Sequence, residues 1–285
     1  LRAYSGFRVP ELRADTATET LGRFGSLEVR LARNAADVRR AQKLRYHVFY
    51  KEMSAIPDAK TLLARRDIDA FDAICDHLLV IDHDAGLKNP RKPTAVGTYR
   101  MLRQDVANRH GGFYSVGEFE IGELLARHRH LNFLEVGRSC VLASYRNKRT
   151  IELLWAGLAD YVARHRLDVF FGCASLDGTD PDRLALPLSF LHHYAGASEI
   201  WRARAVAHRY VEMNRMNKES VDPKAAWREL PPLIKGYLRL GAYVGQGAVL
   251  DHQFGTTDVL IVLPLSAVKA RYLAHFGLTG HLQAA

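Results

Sequence analysis

The segment FLEVGRSCVLASYRNKRT, residues 133–150, decides the fold. Its first half is apolar and predicts a buried strand that carries two charges, Glu135 and Arg138. Charge on a central strand is costly unless paired or put to use, so the two are expected to form one ionised pair. The second half, Arg146-Asn147-Lys148-Arg149-Thr150, reads as a basic turn, and the apolar spacing over residues 151–165 predicts an amphipathic helix directly after it. A helix N-terminus carries free backbone N–H groups and the positive end of the helix dipole, so a basic turn there is an anion site. A carboxylate beside a phosphate-binding turn is the layout expected for taking an acyl group from a phosphopantetheine arm.

Outward from this segment the chain alternates strands and helices. Residues 1–25 read as a loosely attached arm and residues 26–285 as one domain with a C-terminal extension. Strands are predicted over 27–31, 77–81, 95–102, 169–174, 242–250 and 258–263, the second and third joined as a hairpin through a Gly-, Pro- and Lys-containing turn at 84–93. Helices are predicted over 35–53 with Asn34 as N-cap, 121–128, 181–194 with Pro181 in the first turn, and 234–240. Residues 67–72 form an acidic loop. No repeat or low-complexity tract interrupts this order.

Composition narrows the class. The 285 residues are 48% hydrophobic and 25% charged, as in ordinary globular proteins. No apolar run approaches the roughly 20 residues that span a bilayer. The first 20 residues lack the apolar centre of a secretory leader, and the absence of an initial Met leaves room for preceding sequence. Three dispersed cysteines, Cys75, Cys140 and Cys173, predict free thiols in a reducing cytoplasm. No Cys/His spacing predicts a metal site. A net charge of +9 favours acidic partners, whether nucleic acid, an anionic membrane face or an acidic carrier protein. Nucleic acid is disfavoured, because no helix-turn-helix, zinc module or RNA-recognition signature is present.

The element order and charged residues resemble the Gcn5-related N-acyltransferase (GNAT) superfamily. Arg45 and Phe49, Asp69 and Asp72, Arg100, and Glu135 with Arg138 are similar to the charged set of acyl-homoserine lactone synthases. The segments 134–149 and 230–242, followed by Asp251, Phe254 and Asp258, resemble the L-ornithine N-alpha-acyltransferases more closely. The resemblance implies an α/β (α+β) fold with a mixed, mostly antiparallel twisted sheet, splayed central strands and flanking helices. It also implies transfer of a 3-hydroxyacyl chain from acyl carrier protein to the α-amine of ornithine. The phosphopantetheine thioester would be a co-substrate, with no tightly bound cofactor. The alternative it leaves is a lactone synthase acting on S-adenosylmethionine. The basic turn has no glycine to wrap a pyrophosphate, which fits a carrier-borne phosphate better than coenzyme A.

On that resemblance Glu135 is the expected base, Arg138 its holder, and Val141 or Leu142 the backbone oxyanion donor. Arg146, Asn147, Lys148 and Arg149 would hold the donor's phosphate. Asp69 and Asp72 would meet the ammonium groups of ornithine, and Arg45 or Arg100 its carboxylate, unless these four only build an internal network. The expected location is cytoplasmic, with peripheral contact at an anionic membrane face left open; Arg39, Arg40, Arg271 and residues 202–209 are candidates for such contact. Covalent chemistry at Cys140 is disfavoured because no neighbouring base is in view. The His77-x4-Asp82 string is read as accidental, since positions five apart on a strand face opposite ways.

Overall fold

The computed structural model describes residues 19–85 and 94–269. Nine strands form one open sheet: β1 (Thr20–Phe24), β2 (Leu27–Leu31), β3 (Asp76–Asp82), β4 (Thr94–Arg103), β5 (Phe133–Val141), β6 (Val169–Asp177), β7 (Tyr210–Val211), β8 (Tyr243–Asp251) and β9 (Thr256–Pro264). The helices are α1 (Ala35–Tyr46), α2 (Ala59–Ala64), α3 (Gln104–Ala107), α4 (Ile121–Arg127), α5 (Lys148–His165), α6 (Ala185–Ala195), α7 (Pro223–Glu229) and α8 (Pro232–Leu240). Across the sheet the order is β1-β2-β3-β4-β5-β6-β9-β8-β7. Each neighbouring pair is antiparallel except β5 and β6, which run parallel. Parallel neighbours need a long crossover, and α5 supplies it.

Strand alternation sends side chains to two separate cores. Leu78 and Val80 of β3, Leu134 and Val136 of β5, and Val259 and Ile261 of β9 meet Leu153, Leu154 and Leu158 of α5 and Ile234 of α8. On the opposite face Leu79 and Ile81 pack under Ala41 and Leu44 of α1, while Phe133, Phe171 and Val262 pack with Phe113, Phe119 and Leu124. The charged residues of interest lie on this second face.

The feature that positions the site is a wedge. β5 and β6 pair only from Phe133–Val169 to Glu135–Phe171. Beyond that point β5 stays bound to β4 as far as Val141, and β6 to β9 as far as Asp177, so the two part. At the vertex stands Gly172, where an added Cβ would lie 2.1 Å from the carbonyl oxygen of Val136. Only a residue without a side chain permits that approach.

Several expected boundaries move. Thr20–Phe24, assigned to the arm, is strand β1 of the sheet; Gly22 and Arg23 hide the alternation. The 35–53 helix is α1 continued as a π-helical stretch, His47–Glu52, with Asn34 accepting from the N–H groups of Ala36 and Asp37 as expected. Pro181 does not open a helix: residues 181–184 are turns and α6 begins at Ala185. Residues 1–18, most of the 84–93 turn, Arg271 and the extension beyond 269 lie outside the described residues. No helix among the described residues is long and apolar enough to cross a membrane.

Candidate functional site

Glu135 is buried at the vertex of the wedge, but its partner is not Arg138. Its Oε1 accepts from the Ser115 N–H at 2.7 Å and the Ser115 hydroxyl at 2.5 Å, and its Oε2 accepts from the Tyr114 N–H at 2.8 Å. The expected ion pair fails because β5 bulges. Between the Thr98–Cys140 and Arg100–Gly137 pairs it carries one extra residue, and Arg138 adopts φ 49°. A bulge re-aims the side chain it carries. The Arg138 guanidinium instead lies 3.5 Å from Asp67 and 3.4 Å from Asp69, between the rings of Tyr114 and Phe254. Burial raises the Glu135 carboxyl above its ordinary range, against the pull of its hydrogen bonds and of Arg100.

Arg45 is fully enclosed, at 0% exposure. Its Nε donates to Asp67 at 2.7 Å, and its Nη2 donates to the Asp67 carbonyl and to both Asp72 oxygens; Nη1 is buried without a partner. Asp72 also accepts from Gln42 and Arg100. Against the cost of burial, Arg45 and then Arg100 hold the Asp72 carboxyl well below the carboxylate range. Arg45 and Asp72 thus lie inside one internal network, with no exposed face turned to an amino acid. Arg100 is likewise committed, donating to Asp69 at 2.6 Å and stacking near Phe71 and Tyr114. Asp69 caps the 3-10 turn Ala70–Ala73 and is the open edge of this network, with its side chain 23% exposed.

The basic turn is shorter than expected, because Lys148, Arg149 and Thr150 already form the first turn of α5. Asn147 is its N-cap and accepts from the Thr150 N–H. Arg146 pairs with Glu52 and donates to the Val141 carbonyl, Lys148 reaches Glu152, and Arg149 lies over the Phe24 ring. Leu142 is not an oxyanion donor, since its N–H is bonded to the Val96 carbonyl at 2.9 Å. Val141 is too distant from Glu135 to serve the same carbonyl: their partners on β4, Gly97 and Leu102, are five extended residues apart, about 17 Å. Cys140 is inert, its thiol pushed up to about 12 by burial. His77 turns to the Asp72 carbonyl and Asp82 accepts from Tyr145, so the two never meet.

Sequence reasoning missed the Tyr114–Ser115 support and a carboxylate cluster beside it. Glu118, Asp251 and Asp258 each present an oxygen within 4.8 Å of the others, an arrangement able to hold a cation that Cys/His spacing does not reveal. Asp258 begins an otherwise apolar strand run, the same signal that drew attention to Glu135. Nothing in the local pattern marks Glu118.

With this geometry in place, residues 44–156 match the acetyltransferase (GNAT) domain family. A wedge-opened mixed sheet with a buried carboxylate at its vertex, on a chain carrying that domain, defines a GNAT-type N-acyltransferase. The L-ornithine N(alpha)-acyltransferase of Rhizobium meliloti (strain 1021) is 52% identical over 264 residues, covering 93% of this chain and 88% of the relative. That of Agrobacterium fabrum (strain C58) is 48% identical over 268 residues, covering 93% and 91%. The chain belongs to the L-ornithine N(alpha)-acyltransferase family. Among solved structures, FeeM, an N-acyl amino acid synthase from uncultured soil microbes, aligns at TM-score 0.45 and 9% identity over 84% of this chain and 91% of that one.

Proposed function

We propose that this enzyme transfers a 3-hydroxyacyl chain from an acyl carrier protein thioester to the α-amine of ornithine, giving a lyso-ornithine lipid. The acceptor is supported by the relatives, which are named for it and are about half identical over nearly the whole chain. One structural observation carries the site reading. The strands part immediately beyond Glu135 and Phe171, leaving an edge of β5 unpaired next to a buried carboxylate.

In this reading the thioester lies in the wedge and the amine approaches from the face that holds Glu135. The new C–N bond forms as the C–S bond breaks, and the pantetheine sulfur leaves as a thiolate that takes up the proton carried from the amine by Glu135. Glu135, directly or through a water, takes the proton lost by the amine. A carboxyl raised by burial is better matched to that task at neutral pH than an ordinary one. The oxyanion faces backbone N–H groups on the unpaired edge just past the bulge, around Ser139. Arg138 holds the amino acid carboxylate, since Arg45 and Arg100 are enclosed. The donor's single phosphate rests on the N-terminus of α5, with Arg146, Lys148 and Arg149 meeting it and the acidic surface of the carrier. Incubation of the protein with a 3-hydroxyacyl carrier thioester and ornithine, followed by mass spectrometry, should yield N-acylornithine. A lactone formed from S-adenosylmethionine in its place would overturn the reading.

A further inference from the structure

The wedge, Glu135 and Arg138 account for an acyl donor, one amine and one carboxylate. They leave the Glu118–Asp251–Asp258 cluster without a task. The three carboxylates share the face of the sheet that holds Glu135. Asp258 stands on β9 opposite Ser175 of β6, and Asp251 ends β8 opposite Thr256. Glu118 follows the Tyr114–Gly117 turn, whose Ser115 binds Glu135 and lies 3.5 Å from the Cys173 sulfur. The cluster opens to solvent on its Asp251 side, where Ser175 is exposed and Asp251 half-buried, while Glu118 and Asp258 lie buried behind them.

The cluster is under-partnered for its charge. Asp258 accepts from the Thr256 hydroxyl at 2.9 Å and from the Ser175 hydroxyl, and Asp251 accepts from the N–H groups of Gln253 and Phe254 at 2.9 and 3.0 Å. Glu118 Oε1 has one cation, Arg209, at a long 3.4 Å. Glu118 is 4% exposed, and its Oε2 is shut from solvent with no hydrogen-bond partner; the thiol of Cys173, a weak donor, lies beside it. A buried carboxylate oxygen without a donor is unfavourable unless a ligand supplies one. Burial and then the neighbouring Glu118 and Asp251 push the Asp258 carboxyl up to about 6, against the hydrogen bonds of Ser175 and Thr256.

We propose that Glu118, Asp251 and Asp258 form the subsite for the side-chain ammonium of a dibasic amino acid. This rests on the acyl-transfer reading and assigns the part of the acceptor that the reacting amine leaves unexplained. A primary ammonium has three N–H donors, and three carboxylates with acceptor capacity to spare match it in number. Charge-assisted bonds of about 2.8 Å around a tetrahedral nitrogen place their acceptors about 4.6 Å apart, compatible with the spacing here. A hard divalent cation would want six or more oxygens. Arg138 at one end and the carboxylates at the other set the amino acid's direction, so that its α-amine reaches the wedge.

The test compares ornithine with 2-aminopentanoic acid, the same chain without the terminal amine, in the wild-type enzyme and in Asp251→Asn and Glu118→Gln. Wild type should prefer ornithine, and each variant should lose that preference by roughly ten- to a hundredfold, through KM for ornithine. Glu118→Gln removes a buried charge, so Asp251→Asn, which can keep its backbone hydrogen bonds, guards against misfolding. Equal losses on both substrates, or no wild-type preference, would overturn the subsite while leaving acyl transfer standing. Activity on ornithine abolished by a chelator and restored by a divalent ion would assign the cluster to a metal and overturn it equally. Failure of wild type to acylate ornithine at all would remove both readings.

Discussion

Two carboxylate-rich clusters share one face of the sheet and are built in opposite ways. Around Arg45, the carboxylates of Asp67 and Asp72 are bound at nearly every oxygen by arginine, Gln42 or Tyr50. Around Glu118, three carboxylates share one distant arginine, and the sealed atom without a partner is a carboxylate oxygen, where around Arg45 it is a guanidinium nitrogen. The first depresses the carboxyl it encloses; the second raises one. Charge that closes on itself holds a fold together, whereas charge left open is available to a ligand. That contrast, more than residue type, separates scaffold from site.

The largest effect should come from Glu135, which lies between the two clusters. Glu135→Gln should lower turnover by a factor on the order of 10² to 10⁴. A base acts when deprotonated, so wild-type kcat/KM should fall as pH drops through a value above the ordinary Glu range near about 4.3. The Gln enzyme should lose that limb, and an unchanged pH profile would show that Glu135 merely anchors the Tyr114–Ser115 turn.

Next comes the closed cluster. Asp72→Asn leaves Arg45 with Asp67 and Arg100 with Asp69 as their remaining carboxylate partners, and should cost about 3 kcal/mol of stability, seen in urea or thermal unfolding. Because the folded carboxyl lies below its unfolded value, the contribution is present above about pH 4 and fades as pH falls through the depressed value. A stable Asn variant with a raised KM for the amino acid would dissolve the contrast between the clusters.

Reversing charge at Arg146, Lys148 and Arg149 should weaken use of the carrier-borne donor on the order of tenfold, and less so at high salt. A pantetheine thioester lacking the phosphate should be affected less. Equal losses with both donors would mark the turn as structural.

The smallest effect sharpens the open cluster. The Asp258 carboxyl is raised when folded, so its contribution is full below about pH 4 and is lost as pH rises through about 6. Asp258→Asn should therefore match wild type at acid pH and gain on the order of 1 kcal/mol above pH 6. Melting curves at the two pH values decide it, and a loss at high pH would show that the open cluster is held together as tightly as the closed one.

Residues 133–165 were legible in the sequence because burial on both faces of β5 and the apolar stripe of α5 write themselves into local pattern. Glu135 stood out as a charge within an apolar run. What could not be read was pairing. Arg138 three residues away looked like its partner, and a bulge sent it to Asp67 and Asp69. Bulges follow from strand register, which depends on β4 and not on β5 alone. Arg45 and Asp72 were visible as charged residues, but their enclosure depends on contacts 27 positions apart. Glu118 gained meaning only when β8 and β9 came to lie beside it.

The strand order carries a consequence for how the chain comes to life. β9 lies inside the sheet, between β6 and β8, although among the described strands it is the last to be synthesised. Until residues 256–264 have left the ribosome, β6 presents an unpaired edge, and the carboxylates of Glu118, Asp251 and Asp258 cannot meet. Such distant closure is slow and leaves a half-built sheet open to wrong pairing. A nascent chain stalled before β9 should already hold the Arg45 cluster, yet be unable to read an amino acid.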